Sequence, residues 1–325
     1  MNKYLLRTLA IITAFGAFTM VLLGALVTKT DSGQGCGQTW PLCHGQLLPD
    51  SMSVNAFYEY GHRITSGTGG FLIVLLALWA WLSYRKDIHV KILGFLSVFF
   101  VVLQGGLGAL TVVFEGSFAK YPLLALHFGF ALICFASVML LTVRLFQIED
   151  ARRLDLLTAS KPATKGLQYT IWALMAYIYL VIYSGALVQH TESALGCGTQ
   201  FPACSSTYLP GFDSHAGIQM LHRYGAASIW LLLLAFLIII IRNYGVRRDL
   251  VIGSWLAFLL VCLQAVSGAM TVLTGVQLIW GIIHTTLIAF LFVVLSYLCM
   301  QIGWPWKLRW QQKKSLVAQD QGQIA

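Results

Sequence analysis

Residues 5–27 read LLRTLAIITAFGAFTMVLLGALV, an apolar run that contains a single charged side chain. A helix of about 20 such residues crosses the roughly 30 Å hydrocarbon core of a membrane. Seven further runs of this kind follow, so the sequence predicts an all-α integral membrane protein with eight transmembrane helices. The eight runs cover approximately residues 5–27, 67–82, 92–113, 123–145, 171–188, 226–241, 252–273 and 278–302.

Composition excludes a soluble protein and a nucleic-acid partner. The chain is 58% hydrophobic and 10% charged, whereas a soluble domain is about a quarter charged. With eight spans and both termini on one side, 17 of the 21 lysines and arginines fall on that side. This is the positive-inside pattern, so we expect a multi-pass protein of the cell membrane with both termini in the cytoplasm. The basic residues on the outer side are Lys29, Arg63, Lys120 and Arg223.

The two halves of the chain repeat each other at offsets of 157 to 161 residues. Each half holds four runs, and an even number gives both halves the same orientation, related by an axis along the membrane normal. We therefore predict two duplicated four-helix bundles: residues 1–146, a cytoplasmic linker at 147–166, residues 167–303, and a cytoplasmic tail at 304–325. The matches include 24–27 with 185–188, Cys36-Gly37 with Cys197-Gly198, Cys43 with Cys204, His62-Arg63 with His222-Arg223, and His127 with His284.

Four histidines occupy matching positions on the second and fourth helices of each half, near the outer face. Two neutral imidazoles across a bundle core can supply both axial ligands of a haem iron. A single such histidine is more often bonded to a backbone carbonyl, but four polar side chains within membrane segments are costly and favour ligation. Zinc is the weaker candidate because no third ligand shares their depth. The predicted pairs are His62 with His127 and His222 with His284.

Arginines and small residues flank these histidines. Arg63 and Arg223 directly follow a histidine, where a guanidinium could bind a haem propionate or a lipid headgroup. Both alternatives stay open. Small residues of the third and seventh helices are interpreted as sites of close helix packing, without a functional role. They are Gly105, Gly106, Gly108, Ser267 and Gly268.

Two cysteine pairs lie in long outer loops. Their identical spacing in an oxidising compartment favours the disulfides Cys36–Cys43 and Cys197–Cys204. Thiol redox chemistry is the alternative, as is transient metal binding with His44 as an added ligand.

One difference separates the halves: Glu59 stands three residues before His62, whereas Gln219 stands three residues before His222. If the helices already cover these positions, each shares a face with its histidine. A buried carboxylate is costly and suggests a function such as accepting protons during an oxidation; a solvated interfacial glutamate is the alternative. The pattern favours one reactive site and one electron-carrying site.

These motifs resemble those of bacterial haem A synthases of the Bacillus type. The resemblance covers nearly the whole chain, through GALVTKT (24–30), GxGCGxxWPLCHG (33–45), EYGHR (59–63), QGxLGALTV (104–112) and LHFG (126–129). It implies a membrane oxidoreductase that converts haem O to haem A, turning the methyl group at porphyrin position 8 into a formyl group by successive hydroxylations.

The resemblance also implies roles for individual residues. His62 and His127 would hold the substrate haem O, with Glu59 as the catalytic carboxylate. His222 and His284 would ligate a haem b cofactor, and both cysteine pairs would form disulfides. An electron donor, unidentified from the sequence, and the farnesyltransferase that produces haem O are the expected partners, apart from membrane lipid.

Two other classes compete with this interpretation. A di-haem cytochrome b would only pass electrons between its haems and would leave Glu59 without a function. A porphyrin transporter would use its parallel repeats around a central site, but all four histidines lie near one face.

Overall fold

The computed structural model describes residues 3–47, 49, 51–114, 120–148, 161–204, 210–211 and 213–305. Within these residues, eight helices are long and apolar enough to cross a membrane, which confirms the predicted all-α, eight-span fold. A short 3-10 helix, Ser193–Leu195, precedes the sixth of them. The eight are α1 (Lys3–Lys29), α2 (Val54–Ser83), α3 (Ile88–Val113), α4 (Lys120–Gln147), α5 (Lys165–His190), α6 (His215–Tyr244), α7 (Arg248–Leu273) and α8 (Leu278–Ile302).

The predicted division into halves, linker and tail stays a prediction. Helix α4 ends at Gln147 and α5 begins at Lys165. Most of the predicted linker, residues 149–160, lies outside the described residues, as does the tail from residue 306 onward.

Helices α2 and α6 begin well before their apolar runs. The sequence places these spans at 67–82 and 226–241, but the helices start at Val54 and His215. Serine caps fix both starts: Ser53 Oγ accepts the Ala56 N–H at 3.2 Å, and Ser214 Oγ accepts the Gly217 N–H at 3.0 Å. Polar residues between these starts and the apolar runs, including Glu59, Arg63 and Gln219, hide the starts from a search for apolar runs. Glu59 and His62 therefore lie on one helix, as do Gln219 and His222.

The helices of each half contact one another in a ring. Helix α1 contacts α2 and α4, and α3 contacts the same two; α5, α6, α7 and α8 repeat this pattern. The two halves meet through α1, α4, α5 and α8. One apolar core crosses that boundary and includes Ala17 of α1, Phe135 of α4, Ile178 of α5 and Leu295 of α8. This core holds the two halves in a fixed relation.

A buried ion pair ties the second half together at the end opposite the four histidines. Arg247, 1% exposed, donates through Nε and Nη2 to the two carboxylate oxygens of Asp249, at 2.9 and 2.6 Å. The same guanidinium reaches the carbonyls of Lys161 and Gln301, at 3.3 and 3.4 Å. The guanidinium of Arg247 therefore joins the chain before α5 to the start of α7 and the end of α8.

We predict that Arg247→Met destabilises the protein, because it leaves the Asp249 carboxylate buried without its partner. Loss of one member of a buried ion pair costs about 3 to 5 kcal/mol. Thermal unfolding in detergent, beside the exposed control Arg242→Met, checks this expectation. Equal midpoints for the two variants would contradict it.

Candidate functional site

The four histidines lie at the same end of the molecule. His62, His127, His222 and His284 each stand six to eight residues after the start of α2, α4, α6 and α8, or about two helical turns. His62 is thus deeper in its helix than the sequence indicated. His62 and His127 lie on α2 and α4 of the first half, and His222 and His284 on α6 and α8 of the second. The pairing of these histidines as haem ligands stays a prediction.

A glycine of a neighbouring helix faces each histidine ring. A methyl group at Gly24 would lie 3.1 Å from His62 Cε1, and one at Gly185 would lie 2.9 Å from His222 Cε1. At Gly108 and Gly268 the corresponding distances to His127 and His284 are 3.6 and 3.0 Å. Each ring therefore fills the space that a larger residue would occupy.

This finding corrects the interpretation of the small residues as packing sites alone. Gly108 and Gly268 seat histidine rings, and Ser267 contacts a ring directly. A methyl group at Gly105 or Gly106 would meet nothing within 4 Å, so these two glycines mark no close contact.

Serines hold the histidines of the second half. Ser184 Oγ lies 2.9 Å from His222 Nδ1, and Ser267 Oγ lies 3.0 Å from His284 Nδ1. In the first half, the buried Nδ1 atoms of His62 and His127 have no hydrogen-bond partner among the described residues. The repeat explains the difference, because Leu23 and Leu107 stand at the positions that match Ser184 and Ser267. Comparison of the aligned halves around each glycine could have revealed these serines, which the sequence analysis missed as ligand partners.

Glu59 is buried, with 4% of its surface exposed, so the solvated alternative is wrong. Its Oε2 accepts the backbone N–H of Cys36 at 2.7 Å, and its Oε1 pairs with Arg63 Nη2. Arg63 Nη1 also donates to the carbonyl of Leu42 at 2.8 Å. The carboxylate thus joins α2 to the loop between α1 and α2, which carries the first cysteine pair.

Gln219 makes the matching loop contact without a charge. Its Oε1 accepts the N–H of Cys197 at 2.8 Å, and its amide nitrogen donates to the carbonyl of Ala194. Arg223 donates to loop carbonyls, including that of Gln200 at 2.9 Å. Both arginines are held by their loops, and their expected contact with haem propionates or lipid headgroups stays a prediction.

Both cysteine pairs are joined in the structure, Cys36 to Cys43 and Cys197 to Cys204. The first disulfide packs against Ala56 and Tyr60 of α2 and is fully buried. The second packs against Met220 of α6. Burial limits attack by an external thiolate, which favours a structural function over thiol exchange.

Lys29 links the two halves beside His284. Its ammonium group donates to Gln189 Oε1 of α5, and its side chain lies against Gly281 of α8. It is within electrostatic range of His284. The last turn of α1 therefore contributes a positive charge to the histidine pair of the other half.

In its described residues the chain is a membrane protein with eight helices long enough to span the bilayer, four matching histidines at one end, and a buried carboxylate three residues before one of them. A family model described as COX15-CtaA, cytochrome oxidase assembly protein, matches residues 7–296. The chain therefore belongs to this family.

Curated relatives agree with the family match. A heme A synthase of Bacillus mycoides is 40% identical over 299 residues, which cover 91% of this chain and 92% of the relative. A heme A synthase of Alkalihalophilus pseudofirmus is 40% identical over 300 residues, which cover 92% of this chain and 98% of the relative. One of Bacillus cereus strain 03BB102 is also 40% identical, over 91% of this chain and 92% of the relative. The similarity spans both halves and their outer loops.

We predict that Glu59→Leu lowers stability more than Glu59→Gln. Leucine leaves the buried Cys36 N–H without an acceptor, which costs about 1 to 3 kcal/mol, whereas Gln219 shows that glutamine satisfies the matching N–H. Thermal unfolding of the two variants in detergent measures the difference. Equal destabilisation would show that the Cys36 contact contributes little.

Proposed function

We propose that this chain is a haem A synthase, an oxidoreductase that converts the position-8 methyl group of haem O into a formyl group by successive hydroxylations. The product would serve the assembly of terminal oxidases. Family membership and the names of the relatives support an enzyme of haem A synthesis. The observation that carries the proposal is that Glu59 is buried and charged at a position where the second half has the uncharged Gln219 in the same loop contact.

Two imidazoles at matching depth in a helical bundle fit the axial ligands of a haem iron. We assign His62 and His127 to the substrate haem O, because the only buried carboxylate near a histidine pair in the described residues stands there. We assign His222 and His284 to a haem b cofactor. When bound, haem b would supply electron transfer for the reaction in the other half.

Glu59 is the proposed catalytic carboxylate. A proton must leave when a methyl group is oxidised, and a positioned carboxylate can accept it. Arg63 forms an ion pair with Glu59 and so holds the carboxylate in place. Gln219, its counterpart, cannot accept a proton in this way. The two halves share this loop contact, but only the first half has a side chain at this position that can accept a proton.

The distribution of basic residues supports a protein of the cell membrane with both termini in the cytoplasm and the histidines near the outer face. Haem O would then be the lipid-soluble substrate. The farnesyltransferase that produces haem O and an electron donor are the proposed partners.

A di-haem cytochrome b is the second candidate, supported by the two similar histidine pairs. It would need no buried carboxylate beside one pair. Glu59 therefore distinguishes the two functions.

We predict that cells that express this chain beside a haem O producer form haem A, and that Glu59→Gln abolishes this conversion while haem O still binds. Gln219 shows that glutamine fits the loop contact, so the fold should survive. The control is His89→Gln, at the other end of the molecule, which should retain conversion. Extracted haems are separated and identified by mass. Wild-type conversion by Glu59→Gln would refute the catalytic function, and absence of haem A with the unaltered chain would favour the cytochrome.

We predict that His284→Ala loses the absorption bands of haem b, because one axial ligand is gone. His89→Gln, at the other end of the molecule, is the control and should retain them. Spectra and haem content of the purified proteins measure the effect. An unchanged spectrum for His284→Ala would refute the assignment of haem b to the second half.

A further inference from the structure

The histidines of the two halves differ in their second nitrogen. Each histidine of the second half has a serine within hydrogen-bond distance of Nδ1, at 2.9 Å for His222 and 3.0 Å for His284. Each histidine of the first half has a buried Nδ1 with no partner in the part of the chain that the structure describes. The difference occurs on two separate helix pairs, α5 with α6 and α7 with α8, so it is not a local accident of one contact.

The serines are oriented to accept a proton from the histidines. Ser184 Oγ donates to the Val181 carbonyl at 2.7 Å, and Ser267 Oγ donates to the Gln264 carbonyl at 3.0 Å. A hydroxyl has one proton and two lone pairs. With its proton directed at the carbonyl, each serine has a lone pair available to accept the Nδ1–H of its histidine.

This contact selects one tautomer of the imidazole. When Nδ1 carries the proton, Nε2 has a free lone pair, which is the form that binds a metal. The Gln264 amide nitrogen lies 3.1 Å from His284 Nε2 and donates to its lone pair in this form, so an iron bound there would take the place of the amide. A hydrogen bond from the far ring nitrogen also fixes the ring orientation and raises the basicity of the ligand.

The first half has the same glycine seats without the serines. Leu23 and Leu107 directly precede Gly24 and Gly108, as Ser184 and Ser267 precede Gly185 and Gly268. A leucine side chain offers no acceptor, so burial of the His62 and His127 Nδ1 atoms costs free energy that no hydrogen bond offsets. Among the described residues, no partner of Nδ1 is present to select the tautomer of His62 or His127.

We propose that Ser184 and Ser267 are positioning residues that make the second half a permanent haem site, and that Leu23 and Leu107 make the first half a site of haem exchange. This inference rests on the proposed function, in which haem O must enter and haem A must leave one half while haem b stays in the other. The proposal assigns retention of a haem to the partner of Nδ1, because the serines are present at both histidines of the second half while all four rings face a glycine.

The test measures retention and electronic state of haem b in the purified full-length protein. Ser184→Ala and Ser267→Ala should each lose haem b to excess apomyoglobin about tenfold faster than the unaltered protein, since such outer partners contribute about 10- to 100-fold in metal affinity. Their haem b should also have a higher reduction potential, because a less basic ligand stabilises ferric iron less. Ser267→Thr retains the hydroxyl and should restore both properties.

Ser254→Ala is the matched control on the same helix as Ser267. Ser254 is equally buried and donates to the Leu250 carbonyl at 2.7 Å, but it contacts no histidine in the structure. It should leave the rate of haem loss and the potential unchanged. If Ser184→Ala and Ser267→Ala match Ser254→Ala in both measurements, the serines serve packing alone and the proposal is wrong.

Reciprocal variants keep the test decisive if the alanine variants fail to fold. Leu23→Ser and Leu107→Ser should slow the release of haem from the first half to apomyoglobin. Unchanged release from both would also overturn the proposal.

The outcome for the proposed function is measured separately. Absence of haem A in the extracted haems would refute the synthase, yet the rates of haem b loss would still decide the serines. Conversely, if the protein forms haem A but holds no haem b, the proposed function of Ser184 and Ser267 in haem b retention is wrong, while the proposed synthase activity is supported.

Discussion

A neutral imidazole binds iron through one nitrogen only when the other nitrogen keeps the proton, and the candidate site depends on how that second nitrogen is treated. All four histidines lie about two turns from the start of a helix, and each ring is seated on a glycine of a neighbouring helix. The seats are alike in both halves. The partner of Nδ1 differs, with a serine in one half and a leucine at the matching place in the other.

A second difference between the halves is that between Glu59 and Gln219, which occupy matching positions. Glu59 and Gln219 both accept a backbone N–H from the first cysteine of an outer disulfide, so the loop is anchored in the same way in both halves. Only the other side-chain atom differs: a carboxylate oxygen that pairs with Arg63, or an amide nitrogen that donates to Ala194. The charge of the site therefore changes without a change of fold, as the proposed division into one reacting haem and one electron-carrying haem requires.

The eight spans were predictable because apolar length alone identifies a membrane helix. The starts of α2 and α6 were not, since both helices begin 13 and 11 residues before the apolar runs and carry polar residues such as Glu59 and Gln219 in between. The histidine pairs and Glu59 were found because the repeat aligns them. Ser267 was interpreted as a packing residue, because a small side chain beside glycine looks the same in sequence whether it lets helices approach or accepts a proton from a ring. That distinction requires the distance between Oγ and Nδ1.

The central claim is that the two halves hold haem for different times. Purified protein that carries isotopically labelled haem b and haem O is incubated with an excess of both haems without label. Samples are taken as the reaction proceeds, and mass spectrometry of the extracted haems measures how much label each haem retains. The account predicts that labelled haem b persists while the label in haem O and haem A is replaced. Loss of label from haem b in parallel with haem O and haem A would contradict it.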